Sequence, residues 1–283
     1  MDPMAAEKVL KESKEILDDH GIVFLMQSGS CLGAVRDKAF IPWDDDMDIA
    51  SVIGINGLGP ELIDIVIKEF TARGYYCKIN YSNLNDPPYS ISYSVIKDWT
   101  RLDWSCMRVV DGHVYSFPGI KVPASQFTDP LEIDFLGEKF HVPNPPEQYL
   151  RLKYGPEWMI PKKAGAYEKD VVEQAVSYGV EGGSCRIRVL DDNSRPVIGA
   201  EIKLAGGGRF MSDDQGYSDV VLPATQGISY YALTITYAGH EIVLYEEQLE
   251  AYKNYVYLTG AYSKKAATAQ GDHGTLGGLL VPE

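Results

Sequence analysis

The chain holds 283 residues, 45% of them hydrophobic and 23% charged, enough length and apolar content for one large folded domain or two smaller ones. A formal net charge of −14 argues against nucleic acid or an anionic lipid surface as partner, because both demand a basic face. The four cysteines, Cys31, Cys77, Cys106 and Cys185, stand far apart without paired spacing and suggest neither a zinc site nor a disulfide framework.

Residues 5–20 set Ala6, Val9, Leu10, Ser13, Ile16 and Leu17 on one helical stripe, closed by Gly21. This N-terminal stretch has no signal-peptide core, and no apolar run is long enough to span a bilayer, so the expected location is cytoplasmic. Ile22 to Met26 reads as a short buried strand, Gln27 to Ser30 as a turn, and Cys31 to Arg36 as a short helix opening from it. Pro60 to Arg73 reads as a helix with proline in its first turn and Gly74 at its end. Tyr75–Asn80, Ser90–Lys97 and Thr100–Val110 read as strands, and Asp111-Gly112 is a hairpin turn before His113–Phe117. Pro145 to Tyr154 is a further helix.

Beyond Tyr178 the pattern becomes all-β. Cys185–Leu190, Ala200–Leu204, Tyr217–Leu222, Tyr230–Tyr237, Glu241–Tyr245 and Asn254–Leu258 are strands separated by Asp-, Asn- and Gly-rich turns. They predict a sandwich of about seven strands. Asp213-Asp214 and the glycine run at Gly206 read as hairpin chemistry, not as a calcium loop. The expected division is a first domain over 1–178, a linker over 179–184, a β-sandwich over 185–260 and a disordered tail over 261–283.

The chemistry concentrates in Ser28-Gly29-Ser30-Cys31-Leu32-Gly33-Ala34-Val35-Arg36 and in Ile41-Pro42-Trp43-Asp44-Asp45-Asp46-Met47-Asp48-Ile49. On an extended backbone, side chains two apart point the same way, so Asp44, Asp46 and Asp48 would share a face at roughly 7 Å intervals. Such like charges repel unless a cation lies among them, and a hard divalent ion that shares its shell with phosphates fits that demand. A solvated acidic loop is the plain alternative. Trp43 and Ile41 beside the run, and its passage into Met47, Ile49, Ala50, Val52 and Ile53, favour a buried strand instead. Asp45 would face the other way, into solvent, and Trp43 would be a core residue fixing the acidic strand. The Gly29-Ser30 turn would cradle phosphate on backbone N–H groups. Arg36 would clamp phosphate or pair with the nearby aspartates, and Lys38, Lys97 and Arg101 are weaker cationic candidates.

The stretch from Ser28 to Ile49 resembles the signature of the LicD family, which includes the fukutin-related proteins. The likeness continues through Arg101-Leu102-Asp103-Trp104, Pro130-Leu131, Phe135-x-Gly137, Val142-Pro143, Tyr149-Leu150, Lys153-Tyr154-Gly155, Trp158 and Pro161, and covers about residues 5–165. It implies an α+β fold whose first domain is a polymerase-beta-type nucleotidyltransferase. It also implies transfer of a phospho-substituent, phosphocholine or a polyol phosphate, from a CDP-linked donor to a sugar hydroxyl of a cell-surface glycan precursor. The resemblance implies Asp46, Asp48 and Asp103 as catalytic acids and, with Asp44, as ligands of Mg²⁺ or Mn²⁺, Asp103 also taking the acceptor proton. Gly29, Ser30, Arg36 and Lys38 would bind substrate. The same acids would serve transfer of a nucleoside monophosphate, and a glycan-binding protein without turnover is the remaining alternative. Within the β-rich half, Val189-x-Asp191, Pro196-Val197-x-Gly199-Ala200, Ser212-Asp213-x-Gln215-Gly216 and Tyr237-Ala238-Gly239-His240 resemble carboxypeptidase-regulatory-like modules.

Overall fold

A computed structural model describes residues 1–85, 89–163, 166–176, 181–191, 193–223, 230–258 and 280–283. The chain divides into two compact units, one of Met1–Ser116 with Lys121–Ala164 and one of Phe117–Ile120 with Gly165–Glu283. Among the described residues no helix is long and apolar enough to cross a membrane.

The first unit mixes helices with one large sheet. Helix α1 (Pro3–Asp19) starts where the Asp2 side chain accepts the Ala5 N–H, with proline next to the cap, and it buries the six stripe residues named above. A left-handed Gly21, φ 68°, follows its end. Helix α2 (Ser28–Leu32) runs into a π-helical turn, Gly33–Asp37, so the helix expected from Cys31 begins three residues earlier. Helices α3 (Pro60–Ala72), α4 (Ser125–Thr128) and α5 (Pro146–Tyr154) complete the unit, and α1 and α3 pack on each other and on the sheet.

Nine strands belong here: β1 (Leu25–Met26), β2 (Asp46–Val52), β3 (Tyr76–Asn83), β4 (Ser90–Lys97), β5 (Thr100–Met107), β6 (His113–Ser116), β7 (Ile120–Pro123), β8 (Leu131–Phe135) and β9 (Glu138–Val142). Seven form one sheet in the order β3-β4-β5-β2-β1-β9-β8, with β6 and β7 pairing separately. The strand expected over Ile22–Met26 shrinks to Leu25–Met26, although Ile22 and Phe24 are still buried. Central β2 runs parallel to β5 and antiparallel to β1. Met47, Ile49, Leu102 and Trp104 are wholly buried, and the Trp104 indole N–H donates to Ser51 Oγ at 3.1 Å. That packing fixes the β2–β5 pair.

In the second unit, α6 (Ala166–Gln174) precedes β10 (Glu181–Leu190), β11 (Glu201–Leu204), β12 (Arg209–Met211), β13 (Tyr217–Pro223), β14 (Tyr230–Tyr237), β15 (His240–Gln248), β16 (Asn254–Leu258) and β17 (Leu280–Pro282). They form two four-stranded sheets, β13-β10-β16-β17 and β12-β11-β14-β15. Ile187, Val220 and Tyr257 of the first sheet share one core with Ile202, Leu233, Ile235 and Leu244 of the second. The Asp213 carboxylate accepts the N–H groups of Gln215 and Tyr217, which is hairpin chemistry as expected.

Three sequence boundaries need correction. The first unit closes at Ala164 and helix α6 joins the second, whereas the sequence placed the division at 178, outside the described residues. Residues 181–184, read as linker, open strand β10. Within the segment read as a disordered tail, Leu280–Pro282 pairs with β16; residues 261–279 lie outside the described set. Leu280 is 7% exposed and belongs to the core, so Leu280→Ala should destabilise the second unit by about 2 kcal/mol in thermal or urea unfolding. An unchanged midpoint would show that this strand does not dock.

Candidate active site

The β2–β5 register creates the site. Asp48 pairs with Asp103, and Asp46 pairs with Arg101. Residues in register on adjacent parallel strands project to the same face, so the two carboxylates are neighbours by construction. Oxygen atoms of Asp46, Asp48 and Asp103 lie within 4.8 Å of one another, and a second group of Asp44, Asp45 and Asp46 shares Asp46 with the first.

Two expectations are corrected here. Strand β2 starts only at Asp46, because the chain turns before it, the Asp44 N–H bonding the Ile41 carbonyl at 3.1 Å. Period-two alternation therefore does not reach back to Asp44 and Asp45, and Asp45, though exposed, sits with Asp44 and Asp46 and does not face away from them. Trp43 lies on the same turn and is 43% exposed, so it is no core residue.

Neighbouring groups hold each acid. The Arg101 guanidinium pairs with Asp46 and comes to 3.8 Å from Asp103. Ser94 on β4 donates to Asp103 at 2.6 Å, and Asn80 on β3 donates to Ser94 at 2.9 Å. Ser30 Oγ accepts the Asp48 N–H at 2.9 Å, tying the turn of the motif to the acidic strand. At Gly29 the backbone lies close against the Asp44 carboxylate, so a Cβ there would make that side chain shift. Gly29 and Ser30 thus set the positions of Asp44 and Asp48.

Burial is the main force on these carboxyls. It raises Asp48 well above the ordinary carboxylate range, with Asp46 adding to the shift and Lys153 opposing it. Burial raises Asp46 against the pull of Arg101. Asp103 is pushed up to about 6 by burial, again opposed by Arg101. Four carboxylates, counting Asp44, face the two cations Arg101 and Lys153. The balance is negative and the donors are all oxygen, which suits a hard divalent cation.

Lys153, named above only within the family likeness and not as a site residue, reaches the site. Tyr149 and Lys153 lie one turn apart on α5 and both reach Ser28: the Tyr149 hydroxyl accepts the Ser28 N–H at 2.9 Å, and Lys153 Nζ donates to Ser28 Oγ at 2.5 Å. Tyr154 and Trp158 are buried, whereas Pro161 is exposed. The Arg36 side chain, 3% exposed, forms a two-pronged pair with Asp37 at 2.8 and 2.6 Å and donates to the Trp158 carbonyl at 3.3 Å. Lys38 is exposed at the left-handed residue ending the π-helical turn. Lys97 is engaged by Glu12 and the Arg73 carbonyl, which gives it a structural task.

Residues 21–145 match the family model described as LicD/FKTN/FKRP, nucleotidyltransferase domain, and this part of the chain belongs to the LicD/fukutin-related family. The chain is 26% identical over 172 residues to the mouse ribitol-5-phosphate transferase FKTN, covering 56% of this chain and 34% of that protein. The human FKTN protein is 24% identical over 179 residues, 58% of this chain and 35% of its own length. An uncharacterized protein of Rickettsia prowazekii is 43% identical over 68 residues, 24% of each chain. The chain thus spans about a third of the length of its fukutin relatives.

Because the folded state raises the Asp103 pKa, folding favours the protonated carboxyl. That contribution is full below the unfolded pKa and is lost as pH rises through about 6. In chelator, the melting temperature should therefore fall between pH 5 and 7.5. Asp103→Asn should flatten that slope and raise stability at pH 7.5 by about 2 kcal/mol. A lower melting temperature for this variant at pH 7.5 would contradict the electrostatic account.

Proposed function

We propose that the first unit transfers a phospho-substituent from a CDP-linked donor to a sugar hydroxyl of a glycan precursor, on a nucleotidyltransferase-like fold of the polymerase-beta type. The carrying observation is the in-register placement of Asp48 beside Asp103 with Asp46 in reach. Family membership supports phosphoryl chemistry, and the fukutin relatives, ribitol-5-phosphate transferases, favour a polyol phosphate over phosphocholine as the group moved.

In this reading Asp46, Asp48 and Asp103, with Asp44, hold Mg²⁺ or Mn²⁺, which when bound would neutralise charge on the diphosphate and on the attacking oxygen. The acceptor hydroxyl oxygen bonds to the phosphorus of the transferred group. The bond from that phosphorus to the CMP oxygen breaks, CMP leaves with the electron pair, and Asp103 takes the hydroxyl proton. Gly29 and Ser30 keep Asp44 and Asp48 in place, and Lys38 offers an exposed charge to the donor. Arg36 acts by joining the motif to the segment around Trp158. The second unit, read through its likeness to carboxypeptidase-regulatory-like modules, takes a structural role.

The test is to incubate the protein with Mg²⁺ and CDP-linked polyols or CDP-choline and follow CMP by mass spectrometry. CMP release supports the proposal, whereas pyrophosphate from a nucleoside triphosphate would replace it with nucleotidyl transfer. Asp46→Ala and Asp48→Ala should each lower the rate about a hundred- to a thousand-fold while the chain stays folded, and chelation should stop turnover reversibly. Near-normal activity in Asp46→Ala would remove the assignment.

A further inference from the structure

Lys153 has no task in the account above, yet its placement is specific. It is 4% exposed, although lysine is rarely buried without a purpose for its charge. Its ammonium donates to the hydroxyls Ser28 Oγ at 2.5 Å and Ser116 Oγ at 3.3 Å. Ser28 is itself held in the left-handed region, φ 48°, which a residue with a side chain rarely adopts. Lys153 and Tyr149 from α5 both fasten it there, so the turn is over-determined at this point. The turn that Lys153 fastens lies against the acidic strand, since the Gln27 N–H bonds the Asp48 carbonyl at 3.0 Å and Ser30 Oγ accepts the Asp48 N–H at 2.9 Å, and the Lys153 charge opposes the upward shifts of Asp46 and Asp48.

We propose that Lys153, with the hydroxyls of Ser28 and Ser116, forms a phosphate-binding pocket that takes an oxygen of the donor's diphosphate beside the acidic cluster. This assignment rests on the reading of the site as one for a CDP-linked donor. An ammonium has three protons to donate and serves phosphate as a point charge. In a buried setting that attraction is stronger than in water. The acids alone would repel a diphosphate, so a fixed cation next to them gives the anion a reason to enter. The competing explanation is that Lys153 only neutralises the carboxylates. A neutralising lysine would govern stability and metal affinity. A phosphate-binding lysine would govern nucleotide affinity even when the metal already balances the acids.

The test uses the full chain in saturating Mg²⁺, with CDP as the probe and calorimetry as the readout. Lys153→Met should weaken CDP binding about 10- to 100-fold, the weight of one charge-assisted hydrogen bond, and Lys153→Arg should restore part of it. Mg²⁺ affinity measured without CDP should not fall, since removing a cation beside carboxylates favours another. Should Lys153→Met fail to fold, Lys153→Gln, which keeps a donor toward Ser28 and Ser116 without the charge, is read the same way. CDP bound equally by wild type and the uncharged variants, with turnover intact, overturns the pocket and leaves the transferase reading standing. CDP bound by wild type and lost in the variants, without CMP release from any donor, supports the pocket and removes the transferase reading. No CDP binding by wild type removes both.

Discussion

The first unit is organised around carboxylates buried side by side on two parallel strands. Placing Asp48 level with Asp103 and leaving Asp46 one pleat away concentrates like charge where water is scarce. Burial penalises the ionised form and each acid penalises its neighbour, so the cluster opposes folding at neutral pH unless cations answer it. The surroundings look arranged for that purpose. Arg101 comes from the strand that carries Asp103, Lys153 from a helix 50 residues later in the chain, and hydroxyls of Ser94 and Ser30 occupy the remaining polar positions. In the proposed reading a divalent cation would answer the negative charge that remains. In the same reading the cluster surrenders local stability for function, a common compromise in enzymes.

The same constraint joins motifs that lie far apart in sequence. Ser28 opens the first motif, and α5 carries Tyr149 and Lys153 from the last one. Helical spacing brings both of those side chains to Ser28. Arg36, at the far end of the first motif, bonds the Trp158 carbonyl, so the two motifs are fastened at both ends. The Gly33 backbone packs so closely that a Cβ would stand 2.5 Å from the Ala39 carbonyl, which keeps the π-helical turn tight against the loop leading to the acids. What looks in sequence like a string of separate signatures is one scaffold under the acidic strand.

Much of this was legible in the chain. The stripe on α1 needed only 3.6-residue periodicity, and the buried set matches it residue for residue. The acids Asp46, Asp48 and Asp103 followed from strand alternation and family likeness, and the structure brings all three together. Alternation misled at Asp44 and Asp45 because it presumes an extended backbone, and the chain turns there. Trp43 misled for the same reason. Strands β12 and β17 are three residues long, too short to show a period. The β8–β9 hairpin was hidden because its turn, Leu136-Gly137, was read as part of a signature; both residues adopt positive φ, the geometry of a tight hairpin. Lys153 stood in the quoted family likeness, but its burial and its bond to Ser28 were not legible there. Burial of a charged residue within a helix is decided by what packs on it, and local pattern counts lysine as solvent-facing.

The global charge of −14 then bears on how an anionic donor reaches this site. At physiological ionic strength charges beyond about 8 Å are largely screened, so most of the negative surface affects approach and not the hold once bound. The hold depends on cations inside that radius, of which Arg101 is already paired with Asp46 while Lys153 rests on neutral serines. Those two cations are therefore not equivalent. Moving Arg101 toward a phosphate would uncover Asp46, whereas Lys153 donates to two serine hydroxyls, whose places a phosphate oxygen could take. In that reading added salt should act unequally, easing the approach of the donor by screening the surface while leaving the buried contact nearly untouched.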